Sequence, residues 1–174
     1  MIKLDKILKT KFLDRLRQID KKKLLDFHVV LLPDFFVDLL LTMGELENTF
    51  ARIKDVYLQG GGNLPGITQK MHQGGNAANT ALALAKLGVK SYLICRTDEF
   101  GLHLLKYFLG KNGVDLSGVK TDGKLAVTTA MEFGEKLTNV MIGDTGSVSD
   151  FTFEILDEKD LQMISNSDIL CVLN

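Results

Sequence analysis

The chain has 174 residues, 45% of them hydrophobic and 25% charged, and a formal net charge of -1. That length buries one core without staples, and the near-neutral balance excludes a global field for nucleic acid or an anionic membrane surface. The most apolar run, VVLLPDFFVDLLLTM, is interrupted by Pro33, Asp34 and Asp38, which excludes a membrane span.

The start of the chain lacks the continuous apolar core of a signal peptide. Residues 1–26 instead place Leu4, Leu8, Phe12, Leu16 and Ile19 at helical spacing, which predicts an amphipathic helix with Lys21–Lys23 at its solvated end. HVVLLP reads as a buried strand of parallel-sheet type, and FFVDLLLTM continues as extended structure carrying Asp38. The glycine-rich QGGGNLPG, 59–66, is a loop, and ITQKMH alternates like a strand covered on one face. A helix follows over Ala77–Leu87, closed by Gly88.

SYLIC is a second buried strand. TDEFGLHLLKYFLGKNG is a second long helix, with Asp98 as N-cap, Phe100, Leu104 and Phe108 as its apolar stripe and Gly113 at its end. LAVTTAMEF and LTNVMIG, joined by GEK, make a hairpin. LDEKDLQMISNS is a short helix and DILCVLN a third buried strand. The pattern is α/β: a parallel sheet covered by helices, with half-exposed strands near 37–43, 67–72, 126–133 and 137–142 forming a small second sheet. Three buried strands are few for two helical layers, which implies the first part of a larger domain. Cys95 and Cys171 lie in apolar runs far apart, as core thiols of a reducing, cytoplasmic compartment. His28, His72 and His103 have no ligand-like spacing, so no metal site is expected.

The most distinctive stretch is HQGGNAANTALALAKLGV. Gly74 and Gly75 let backbone approach closely, and the helix start offers N–H groups and a partial positive charge. Asn79 in the first turn can both donate to and accept from a hydroxyl. The arrangement suits an uncharged polyol; the alternative is a tight turn whose glycines only permit packing. No Gly-Lys-Ser/Thr follows, so this is no P-loop. GGGNLPG has the wrong spacing and precedes a strand, so it is no dinucleotide fingerprint, which argues against a Rossmann-type nucleotide binder.

QGGNAANTALALAKLGVKSYLICRTDEFG resembles the first signature region of ribokinase-like, PfkB-type carbohydrate kinases, and LGKNGVD is similar to the stretch after that family's second helix. The resemblance covers about 27–174. It implies the N-terminal, substrate-binding part of a ribokinase-like domain whose small sheet is a lid over the sugar. By resemblance, Asp38 accepts from sugar hydroxyls, Gly74 and Gly75 hold the sugar through backbone groups, and Asn79 bonds another hydroxyl. Thr128, Ala130 and Glu132 share one strand face, which the resemblance turns toward the substrate, and Asn174 stands where some relatives contact it.

The resemblance further implies ATP-dependent phosphorylation of a sugar, nucleoside or related polyol, with Mg²⁺. The family's second signature, with its catalytic aspartate and anion hole, is missing here; GDTGSVSD lacks the Gly-Ala-Gly-Asp core. The base and the ATP and Mg²⁺ sites are therefore expected beyond Asn174. Pro33 and Arg96 depart from glycines usual in the family, and Arg96 reads as a salt-bridged surface residue. A homodimer through the lid sheet is expected, with no nucleic acid or membrane partner. The competing reading is a non-catalytic, sugar-binding or truncated relative.

Overall fold

The computed structural model describes Lys11, Asp14 and residues 25–173. The amphipathic helix expected over 1–26 thus falls largely outside the described residues, and Asn174 does so entirely.

Two four-stranded sheets frame the molecule. The first comprises β1 (His28–Leu32), β4 (Lys90–Arg96), β5 (Asp115–Lys120) and β8 (Ile169–Val172). It is parallel throughout, in the order β5-β4-β1-β8. The second comprises β2 (Phe36–Gly44), β3 (Thr68–Gly74), β6 (Ala126–Phe133) and β7 (Thr138–Asp144), in the order β3-β2-β6-β7. Its middle pair, β2 and β6, is parallel, and both outer pairs are antiparallel. These four strands are the ones expected to form the lid.

Over residues 25–173 the α-helices are α1 (Leu46–Leu58), α2 (Asn76–Lys86), α3 (Glu99–Phe108) and α4 (Glu158–Ser165). Strand alternation divides the core. Val29, Leu31, Leu93 and Cys95 pack against Ala77, Ala78, Ala81 and Leu82 of α2 and Leu105 of α3. Val30, Leu32, Tyr92 and Ile94 face the other way, toward Met163 and Ile164 of α4. The alanines answer for the composition of α2: with no bulk beyond Cβ, the helix settles directly onto the sheet, and all three are fully buried.

Three expectations need correction. The parallel sheet has four strands rather than three, because β5 joins its edge; the inward residue of DLSGVK is Gly118, so the strand carries little apolar signal. Gly118 is obligatory there, since a Cβ would stand 2.9 Å from the Tyr92 ring. Among the described residues DILCVLN stands at the sheet edge rather than buried: Ile169, Leu170 and Val172 are exposed and Cys171 is half-buried. On α3, Phe100 points to solvent, and the inward stripe runs through Gly101, Leu104, Leu105 and Phe108. Asp98 does cap α3, accepting from Gly101 N at 2.8 Å, and its other oxygen accepts from Leu125 N at 3.2 Å, tying the helix to the entry of β6.

Helix α1 is an element that no expectation covered. Its N-cap Glu45 makes no capping hydrogen bond, so the start signal of Ser, Thr, Asp or Asn is missing. The loop 59–66 that follows is held back onto α1 by Arg52, whose guanidinium donates to the Pro65 carbonyl at 2.5 Å.

Candidate functional site

The lid grows from the carboxyl edge of the parallel sheet. The chain leaves β1 at Leu32, passes a cis Leu32–Pro33 peptide, and enters β2 at Phe36. In that short link lies Asp34, 5% exposed. Its carboxylate accepts from the backbone N–H groups of Asn76 and Ala77, both at 2.6 Å, and its carbonyl accepts from Ala78 N at 3.2 Å. Asn79 N donates to the Gly75 carbonyl.

This overturns the expectation of free N–H groups at the start of α2. The first turn is capped by a carboxylate 42 residues away in sequence, which also meets the positive end of the helix dipole. Asp34 is therefore the cap that its position at a strand end suggests. Gly75, at φ 90°, passes so close that a Cβ would lie 2.7 Å from the Asp34 carbonyl oxygen. That glycine is required by packing.

Asp38 sits two residues into β2. Its neighbours across the sheet are His72 on β3 and Thr128 on β6, so all three share one face. A Cβ on Gly74 would collide with the Asp38 carboxylate; the missing side chain is what lets that carboxylate lie over the backbone. Burial raises the Asp38 carboxyl above its ordinary range, while the Thr128 hydroxyl and the His72 ring act to lower it. A half-buried carboxylate beside a hydroxyl and an exposed imidazole is a hydrogen-bond acceptor aimed at polar donors.

The candidates thus separate. Asp38, Gly74 and Gly75 come together at the base of the lid, with Asn79 exposed in the first turn of the adjoining helix. Ala130 is on the Asp38 face, paired with Leu40, and is buried. Glu132 shares that face but pairs with Thr42, about 13 Å along the strand from Thr128; the structure does not bring it to Asp38. Asn174 lies outside the described residues. His72 is exposed beside Asp38, a placement that strand register supplies.

Two concavities lie elsewhere. One, about 670 Å³, opens at the carboxyl ends of β4 and β5 around Arg96, Lys120 and Asp157. Its cations are already paired: Arg96 donates to both Asp122 carboxylate oxygens at 3.1 and 3.2 Å, as expected of a salt-bridged surface arginine. Lys120 reaches Asp157 and the fully buried Asp160. Although burial opposes it, these carboxylates hold Lys120 above its ordinary range. Tyr92 donates to Asp160 at 3.1 Å, and burial pushes its hydroxyl up to about 12. This cluster anchors α4 to the sheet. A second cavity, about 450 Å³, lies at the opposite, amino edge around His28, Lys90 and Tyr92. Neither includes a candidate residue. Among the described residues no group of three or more His, Cys, Asp or Glu could hold a metal. None of the described residues is assigned to Mg²⁺ or to nucleotide.

A parallel α/β layer thus carries a second four-stranded sheet at its carboxyl edge, with the buried Asp34 in the link between them. The sequence profile of the pfkB family carbohydrate kinases matches residues 37–174, and the chain belongs to that family. A search of curated protein sequences finds no match.

Among solved structures, the chain resembles Arabidopsis thaliana ribokinase complexed with ribose and ATP, at 22% identity and a TM-score of 0.62 over 84% of this chain and 44% of that one. It also resembles the Methanocaldococcus jannaschii nucleoside kinase, at 14% identity and a TM-score of 0.56 over 83% and 44% of the two chains. A sugar kinase from Pyrococcus horikoshii in complex with ATP gives 20% identity and a TM-score of 0.58 over 84% and 42%. These likenesses show the fold, which is ribokinase-like. The chain spans less than half the length of these structures. No helix among the described residues is long and apolar enough to cross a membrane.

Proposed function

We propose that this chain is the substrate-binding part of an ATP-dependent kinase that phosphorylates a hydroxyl of a sugar, nucleoside or related polyol. The observation that carries the reading is Asp38: half-buried, seated over Gly74, and flanked by Thr128 and His72 on one lid face. A carboxylate kept in so little water binds hydroxyls that bring their own donors, and bonds to a charged group are the stronger kind. Asp38 and the Gly74–Gly75 backbone receive the polyol, Asn79 adds a bond from the first turn of α2, and Ala130 leaves room on the lid face. Glu132 and Asn174 are secondary candidates.

ATP and Mg²⁺ are implied by family membership and are assigned to none of the described residues. A second reading is a sugar-binding protein without transferase activity, which would use the same Asp38 site. The two free cysteines, Cys95 buried and Cys171 half-buried, support a reducing, cytoplasmic setting. The lid face opposite Asp38, with Met71, Val140 and Ile142 exposed and Met131 between them, supports pairing of two lids in a homodimer.

The test is a screen of the protein for ATP consumption and for binding against a panel of sugars, nucleosides and polyols. One class should bind and be phosphorylated, and Asp38→Ala should lower kcat/KM by about tenfold to a hundredfold. Binding without ATP consumption would leave the non-catalytic reading; binding of none of the panel would remove both.

A further inference from the structure

We propose that α1 is a docking seam through which two copies of this chain associate, helix against antiparallel helix. The helix is amphipathic in the reverse sense from a core helix. Its apolar residues Leu46, Phe50, Ile53 and Tyr57 are 42%, 54%, 39% and 78% exposed. Polar groups tether it to the molecule instead: the Thr49 hydroxyl donates to the Met43 carbonyl at 2.7 Å, and Arg52 donates to Pro65. The Phe50 ring stacks on Phe133 of the lid at 6.2 Å between centroids.

The exposed residues fall at intervals of four, three and four, which is the d-a-d-a spacing of a coiled-coil seam. Glu47 and Lys54 follow the two d residues, both exposed and both on the same flank. The other flank, Thr49 and Val56, is turned to the body of the molecule and is buried or half-buried. Charge chooses the orientation. A two-fold, antiparallel pair sets like flanks side by side, so Glu47 of each copy meets Lys54 of the other. A parallel pair would press the charged flank against the one already turned to the molecule's own body, leaving both charges unmatched.

The occupant is a second copy because the seam complements itself. About its midpoint, Leu46 faces Tyr57, Phe50 faces Ile53 and Glu47 faces Lys54, each from the same thirteen-residue helix. Two heptads bury less than the roughly 1,200 Å² of a stable specific interface, so the association should be concentration-dependent, in the micromolar range. This contact is separable from lid-to-lid pairing, which uses β7 and β3, and it does not depend on the kinase reading.

Sedimentation of the whole chain over a concentration series tests it. Wild type should show a reversible increase in mass. Ile53→Asp should cut that increase back to whatever lid-to-lid pairing alone supplies, with an unchanged circular dichroism spectrum. Glu47→Lys and Lys54→Glu, both at exposed positions that folding does not need, should each weaken association by about tenfold, and the double exchange should restore it. A wild-type monomer at every concentration overturns the proposal. So does an Ile53→Asp variant that associates like wild type, or a double exchange that fails to rescue the singles.

Discussion

Asp38 carries a conflict between folding and binding. Burial holds its carboxyl above the ordinary value of 3.8, so the folded chain binds this proton more readily than the unfolded chain. Its contribution to stability is fully present below that ordinary value and is lost as pH rises through the raised one. Asp38→Asn should therefore raise the thermal midpoint at neutral pH and give no gain in acid, while sugar binding falls. Melting curves at the two pH values, beside binding of the sugar or nucleoside found in the screen, check both halves. Asn79→Ala is the complementary case. Its side chain is exposed, so the midpoint should hold while kcat/KM drops about two- to tenfold, the loss of one neutral hydrogen bond. The residues of this hinge were only partly legible in the sequence. The glycines and Asp38 announce themselves, but Asp34, His72 and Thr128 take their roles from partners that only tertiary pairing supplies.

At the scale of elements, the TDEFG turn is a joint between three segments. Asp98 caps α3 and holds the entry to β6 with one carboxylate. A Cβ on Gly101 would collide with the Thr97 hydroxyl, which is buried and has no hydrogen-bond partner. Gly101→Ala should thus cost about 1–3 kcal/mol by overpacking, and Thr97→Ala should recover most of it, because the colliding oxygen is gone. A double-mutant cycle by urea denaturation would show strong coupling; additive losses would place the strain elsewhere. Elements such as α2, β1 and β4 are readable because the residues that pack are the apolar ones. Helix α1 and strand β5 break that rule in different ways. The first turns its apolar residues outward, and the second turns a glycine inward.

At the scale of the molecule, cover among the described residues falls away toward one side of the parallel sheet. Strand β8 pairs only with β1 and leaves Ile169, Leu170 and Val172 exposed, whereas β1 and β4 are shielded on both faces. Amide exchange should be fastest in β8 among these strands and slowest in β1; equal protection would mean that the edge is covered in solution. The alternation of strand and helix made the layered architecture readable from the chain. The exposure of β8 was not, because an apolar run looks the same whether or not something lies against it.

The central place of β1 has a further consequence during synthesis. It pairs with β4 from residue 90 onward and with β8 from residue 169 onward. Residue 169 leaves the ribosome 140 residues after Val29, its partner. At ordinary elongation rates that is a wait of roughly 7–30 s. Throughout it, HVVLL has an unpaired edge and apolar side chains not yet covered by α4, so nascent chains of intermediate length should be the ones that recruit a holding chaperone and the ones that aggregate when none is present.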